Sequence, residues 1–207
     1  MSISPPRFAP SPHRLDALAD GVFAIVLTLL ALELRLPESA EEDGFWAVFL
    51  ANVHVLENFV IAFFVVGVLW RLHHLVNDQL PRGTPYIHAM TLGFLASVTL
   101  TPWSLDNLMS FTQDPEAVMA FSGILLVSWT LLIGMLSSAL TLDMEKARET
   151  SIRLSRRALL SGPLVALLSI SLAYISPSAA LYVWLLLWPV GFVARRLPYA
   201  PRQTDED

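Results

Sequence analysis

Six long apolar stretches occupy most of this chain and constrain its fold more than any other feature. A bilayer-spanning helix needs roughly 20 mostly apolar residues, with a range of about 17 to 25. Only 15% of the 207 residues are charged, whereas about a quarter is usual in soluble domains. We therefore predict an all-α, polytopic membrane protein forming a single transmembrane domain over residues 1–207. The predicted spans are Leu15–Leu36, Phe45–Leu72, Tyr86–Leu108, Glu116–Leu140, Ser155–Ile175 and Ser178–Arg196.

Lysine and arginine are distributed unevenly around these spans. The chain contains 13 lysines and arginines. With six spans, Arg35 lies on one side of the membrane, and all the others lie on the opposite side. Because positive residues favour the cytoplasmic side, both termini are expected there, with residues 1–13 and 197–207 as cytoplasmic segments. The acidic run Glu38–Asp43 would then face outward. These carboxylates either concentrate cations at the outer surface or are ordinary solvated loop charges.

The adjacent pair His73-His74 could suggest a metal site at the end of the second span. Neighbouring helical residues point about 100° apart, so the two rings are poorly placed to chelate one ion. The sequence also contains no cysteine, no HExxH motif and no paired carboxylates that would indicate a catalytic centre. We therefore expect no metal, no cofactor and no catalytic residues, and a hydrogen-bond network at this end of the span instead.

Asp20 is a short carboxylate that directly precedes an apolar run in the first span. Asp16 lies one helical turn away, and like charges at that spacing repel. Ionisable residues at membrane depth usually face the interior of a bundle or water. We therefore expect Asp20 to be held by cations or donors from Arg14, Arg71 or His73.

Ile25, Leu29 and Leu32 follow an i, i+4, i+7 spacing, so they form one stripe on the first helix, and Thr28 borders it. A bulky apolar stripe usually indicates core packing. If several copies of this helix met around an axis, the same stripe would instead form apolar rings, and such constrictions can gate a pore by dewetting. The residues alone leave both interpretations open, and the pore interpretation requires an oligomer.

Two segments of the chain resemble a known family. The first is Arg14-Leu-Asp-Ala-Leu-Ala-Asp20-Gly-Val-Phe-Ala-Ile25, and the second is Trp70-Arg71-Leu-His73-His74. They are similar to the Arg-x-x-x-Phe-Ser-Asp, Gly-Val-Phe-Ala-Ile and Trp-x-x-His-His patterns of bacterial potassium channels of the transmembrane protein 175 type. Leu18 and Ala19 stand where the family pattern has Phe-Ser.

The resemblance implies a homotetrameric, potassium-permeable cation channel in the bacterial inner (plasma) membrane, with the first helix lining a central pore. It implies constriction rings from Ile25, Leu29 and Leu32, with Thr28 as a polar layer. It implies a signature network at the cytoplasmic end, formed by Arg14, Asp20, Trp70, Arg71, His73 and His74. The expected partners are further copies of the chain, membrane lipid, potassium and other monovalent cations, with no nucleic acid.

Two other functions remain open from the residues. The first is a small proton- or cation-coupled secondary transporter that uses Asp20, His54 or Glu57 as a relay. Such transporters commonly show broken helices and an internal repeat, which are not evident in the sequence. The second is a membrane enzyme using His73 and His74, for which no nucleophile or cofactor motif is evident.

Overall fold

Helices follow one another along the chain in a computed structural model that describes residues 12–35, 44–78, 80, 85–111, 113–142 and 150–187. Within these ranges there is no β-strand, in agreement with the predicted all-α class. The helices are α1 (Pro12–Leu32), α2 (Phe45–Ala51), α3 (Val53–Asn77), α4 (Pro85–Thr99), α5 (Thr101–Ser110), α6 (Pro115–Leu142), α7 (Thr150–Ala173), α8 (Pro177–Tyr182) and a 3₁₀ segment at Val183–Leu187.

Three described helices are long and apolar enough to cross a membrane, namely Arg14–Leu32, Val53–Asn77 and Pro115–Ser138. Leu159–Ala173 and Pro177–Leu187 are apolar but shorter. These helices indicate an all-helical membrane protein. The six-span count and the position of the termini remain predictions, because Leu36 and residues 188–196 of the predicted spans lie outside the described residues, as do residues 1–11 and 197–207.

The predicted second span is not one continuous helix, because α2 ends and α3 begins at Asn52. The backbone of Asn52 has φ −114° and ψ 24°, and its side-chain Nδ2 donates to the carbonyl of Val48 at 2.8 Å. Asparagine side chains offer the backbone an alternative to helical hydrogen bonds. The short helix Phe45–Ala51 is thereby separated from the long helix that follows it.

The predicted third span is also divided, at Leu100. Pro102 lies in the first turn of α5. Proline lacks an N–H and its ring clashes with the carbonyl four residues earlier, so it is tolerated at a helix start and breaks a helix interior. The backbone resumes helical bonding with Ser104 N–H to Leu100 O at 3.0 Å.

A single core runs through the bundle, and two parts of it show how the helices pack. In the first, α1 packs against α3, α4 and α5, and Phe23, Leu69 and Phe94 are buried there. In the second, α6 and α7 pack closely along each other. Gly162 lies at this contact, where a Cβ would overlap the indole of Trp129. Small residues allow helices in lipid to approach closely in this way.

Buried hydroxyls also join the second part of the core. The Oγ atoms of Ser122 and Ser169 lie 2.9 Å apart, and Ser169 donates to the carbonyl of Ala180 at 2.7 Å. Trp184 donates from Nε1 to Ser122 Oγ at 3.2 Å. Polar side chains often hydrogen-bond across helices where lipid offers no partner, so these contacts tie α6, α7 and α8 together.

Candidate functional site at the first helix and its partner helix

The two faces of α1 have opposite environments. One face is fully buried against the rest of the chain and is formed by Ala19, Phe23, Val26 and Leu30. The opposite face carries the predicted stripe, where Ile25 is 60% exposed, Leu32 is 63% exposed and Leu29 is 39% exposed. The stripe is therefore not packed in the core of its own chain. It presents a continuous apolar surface to lipid or to another molecule.

Thr28 is also exposed on this side of α1. Its hydroxyl donates to the carbonyl of Ile25 at 2.7 Å. This bond within one helical turn satisfies the hydroxyl hydrogen. The oxygen keeps acceptor capacity, because a hydroxyl oxygen has two lone pairs.

Asp20 is held by two side chains from α3, and we call these three residues the Asp20 cluster. Trp70 Nε1 donates to Asp20 Oδ1 at 2.9 Å, and His74 Nε2 lies 3.2 Å from the same oxygen. His74 Nδ1 lies 3.1 Å from the carbonyl oxygen of Trp70. Both ring nitrogens of His74 therefore face acceptors. A neutral imidazole donates from one ring nitrogen, so the tautomer decides which of the two acceptors it bonds.

The Asp20 cluster differs in its donors from the sequence-based expectation, which named Arg14, Arg71 or His73. Arg14 and Arg71 are exposed. Trp70 and His74, which the structure places on Asp20, belong to the predicted signature set but were not proposed as its partners. They are one helical turn apart, so they share a face of α3. This spacing is the sequence signal that could have identified them as joint partners of one residue. The neighbouring Asp16 accepts a hydrogen bond from Asn77 Nδ2.

His73 does not take part in the predicted hydrogen-bond network. It is 1% exposed, and neither of its ring nitrogens has a hydrogen-bond partner among the described residues. Its ring stacks on Phe94 with centroids 5.1 Å apart and lies 6.3 Å from the ring of Phe23. The reason is geometric, because residue 73 points about 100° away from residue 74 and so faces the apolar core between α1 and α4.

The other residues considered for a relay lie elsewhere on α3. Tyr182 donates its hydroxyl to Glu57 Oε2 at 2.6 Å, beside a cavity that His54 also lines. Glu57 precedes Trp70 by 13 residues, which is about 20 Å along a helix. Asp20 and Glu57 are therefore too far apart for direct proton transfer. No group of three or more His, Cys, Asp or Glu that could hold a metal ion occurs in the described part of the chain.

Parts of this chain are similar in sequence to known proteins. Residues 14–102 match the family model described as the endosomal/lysosomal potassium channel TMEM175. A protein named as a potassium channel from Streptomyces collinus is 31% identical over 104 residues, which are 50% of this chain and 50% of that protein. One from Chamaesiphon minutus is 27% identical over 180 residues, which are 83% of this chain and 86% of that protein. The chain thus aligns with only half the length of the Streptomyces relative.

A solved structure supports the fold. The crystal structure of a lysosomal potassium-selective channel TMEM175 homologue from Chamaesiphon minutus matches with a TM-score of 0.79 and 24% identity, covering 88% of this chain and 97% of that one. The family match includes α1 with its exposed stripe, together with Trp70 and His74 on α3. The segment spanning residues 14–102 is therefore similar to the TMEM175 family.

Proposed function

We propose that this chain is a subunit of a potassium-permeable cation channel in which four copies of α1 surround a central pore. Ile25, Leu29 and Leu32 then form successive apolar rings, and Thr28 adds hydroxyl oxygens between them. Ions cross these rings only when the rings are wide enough to hold water. The Asp20 cluster fastens α1 to α3 at the cytoplasmic end of the pore.

The observation that carries this proposal is the exposure of the stripe on α1. Ile25 and Leu32 are more than half exposed although the opposite face of the same helix is fully buried. A helix whose outer face is uniformly apolar needs lipid or a second protein surface to cover it. The bacterial relatives are named as potassium channels, which favours a second protein surface as the cover and potassium as the permeant ion.

Ion flux through reconstituted protein tests the role of the stripe. Ile25→Asn replaces an apolar ring with a polar one and should lower the dehydration barrier, and Leu29→Ala should widen the constriction. Lowering the barrier by about 1.4 kcal/mol raises flux about tenfold. We expect increased potassium flux per assembled oligomer in liposomes, with the larger increase for Ile25→Asn.

Leu164→Ala is the matched control, because Leu164 is a comparably exposed apolar residue on α7 and lies outside the proposed pore. It should leave flux per oligomer unchanged. Unchanged flux in correctly assembled Ile25→Asn and Leu29→Ala would contradict a pore lined by α1. Flux that depends on a coupled proton gradient in the unmodified protein would favour the transporter instead.

We further propose six spans with both termini in the cytoplasm, which puts the Asp20 cluster on the inner side. The basis is the distribution of lysine and arginine. Single cysteines can be introduced into this cysteine-free chain and labelled with a membrane-impermeant reagent on intact cells. Labelling is expected at Ser39→Cys and not at Thr204→Cys. The reverse pattern would overturn the orientation.

A further inference from the structure

A cavity of about 180 Å³ lies between α3, the turn that joins α5 to α6, and α8. None of the stripe residues on α1 lines it, and Glu57 lies about 20 Å along α3 from the Asp20 cluster. Glu57 and Tyr182, which line it, are exposed, so the cavity opens to the surface. We call it the Glu57 cavity. The channel function proposed above does not use it.

The polar groups of this cavity come from separate parts of the chain. Glu57 and Tyr182 are 125 residues apart in sequence, and their hydrogen bond of 2.6 Å closes one side. The phenol hydroxyl donates to one carboxylate oxygen of Glu57, and this bond orients the carboxylate. Asn58 and Gln113 add carboxamides, and His54 adds an imidazole. The lining is thus rich in acceptors that converge on one space.

The charge of the lining favours a cationic ligand over an anion. With histidine counted as neutral, Glu57 supplies the formal charge of the residues that line the cavity at pH 7. Asp114 follows Gln113 directly and adds a second carboxylate close to this turn. An ammonium group supplies three donors and no acceptor, so it complements such a lining.

The remaining walls limit the size and polarity of the ligand. Ile61 and Leu181 are 3% and 7% exposed and give the cavity an apolar side. A cavity of 150 Å³ is large enough for benzene. The Glu57 cavity therefore has room for an ammonium group with a short hydrocarbon stem, and the described residues contain no cluster that would hold a metal ion in its place.

We infer that the Glu57 cavity is a binding site for small primary ammonium compounds, with the ammonium group on Glu57 and the hydrocarbon stem against Ile61 and Leu181. The Tyr182 side chain also lines the cavity, and aromatic faces attract ammonium groups. A bound ligand would link α3 to α8 and so stabilise the fold. This inference does not depend on ion conduction.

Calorimetric titration of the purified full-length protein in detergent tests the site. Butylammonium is the probe, and 1-butanol and butyrate are its neutral and anionic counterparts of the same length. We expect saturable binding of butylammonium, together with a raised thermal unfolding temperature, and no saturable binding of the other two. Because the readout is binding, a negative flux experiment would not affect it.

Three variants separate this site from nonspecific adsorption. Glu57→Gln should weaken butylammonium binding at least tenfold, because a charge-assisted hydrogen bond becomes a neutral one. Ser178→Phe should abolish binding by filling the cavity, and its folding should be preserved because Ser178 is exposed. The matched controls are Glu116→Gln, another exposed carboxylate, and Ala179→Phe, an exposed neighbour of Ser178 that does not line the cavity.

Binding that is equal in Ser178→Phe and Ala179→Phe would overturn the assignment, even if Glu57→Gln fails to fold. Saturable binding of Zn²⁺ with none of butylammonium would overturn the class of ligand, and binding of butyrate in preference to butylammonium would do the same. The absence of saturable butylammonium binding to the unmodified protein would also overturn the site.

Discussion

The two long helices α1 and α6 have the same mean hydropathy of 2.1 over their most apolar windows, yet they are buried to different extents. In α6, 44% of the residues in that window are buried within the chain, and in α1 only 22% are. The difference shows that hydropathy reports suitability for the membrane and not the neighbour that a helix contacts. For α1, the unburied surface is concentrated on the face that carries Ile25, Leu29 and Leu32.

The same contrast exists within α1 itself. Phe23 and Ile25 are two positions apart in the sequence, and they are 1% and 60% exposed. Phe23 contacts the rings of His73 and Phe94, whereas Ile25 faces outward. One face packs against the rest of the chain, and the other is free to contact lipid or another molecule.

The largest expected effect on stability is the difference between two truncations, one on each face of α1. Phe23→Ala removes a fully buried aromatic ring and should lower the free energy of unfolding by about 3–5 kcal/mol. Ile25→Ala should change it far less, because the side chain is exposed in the single chain. Denaturant unfolding in detergent, under conditions that keep copies of the chain apart, measures both. Equal losses would show that the two faces of α1 do not differ in the way described.

A smaller effect is expected where α1 meets α3. Trp70→Phe keeps a large ring and removes the N–H that bonds Asp20. Hydrogen bonds to charged groups contribute about 1.5–3 kcal/mol, and partial exposure of Asp20 and Trp70 should reduce this to about 1 kcal/mol. Trp103→Phe, at an exposed tryptophan on α5, is the matched control.

The two tryptophan variants are compared by thermal unfolding and by the fraction of protein that assembles. A loss with Trp70→Phe alone is the expected result. If both variants behave alike, the bond to Asp20 contributes no more than general aromatic packing does.

The smallest expected effect on stability comes from Thr28→Val, which preserves volume and removes an exposed hydroxyl bonded within its own helix. We expect little change in unfolding and a shift in the reversal potential between potassium and sodium, because the hydroxyl oxygen would face the ion path in the proposed pore. Bilayer recordings measure that shift. An unchanged reversal potential would show that the Thr28 hydroxyl bonds the carbonyl of Ile25 and does not contact the ion.

Much of the fold follows from local patterns in the sequence, and the departures have visible local causes. Hydrophobic length predicts α1, α6 and α7 with boundaries within about five residues, whereas the predicted second span begins at Phe45, eight residues before α3 begins at Val53. The breaks at Asn52 and Leu100 were not predicted, although Pro102 is a recognised helix breaker. An apolar run of sufficient length predicts one helix at each place. The backbone conformation of Asn52 and the missing N–H of Pro102 interrupt it instead.

The candidate site was less predictable because it depends on the rotation of one helix against another. Helical spacing groups Ile25, Leu29 and Leu32 on one face, but spacing alone cannot show whether that face is covered. The same limit applies to His73 and His74. Their 100° separation was evident, whereas only the packing of α3 against α1 and α4 shows that His73 enters the core and His74 reaches Asp20.

The buried face of α1 also has a consequence for biosynthesis. Its contacts are made with α3, α4 and α5, all of which follow it along the chain. A ribosome therefore delivers α1 to the membrane before any of those contacts can form. Phe23, Val26 and Leu30 are apolar, so lipid tails can accommodate them during this interval without leaving a polar group unsatisfied. Because α1 is translated before these partners, it must remain stable in the bilayer until they are inserted, and its apolar buried face allows this.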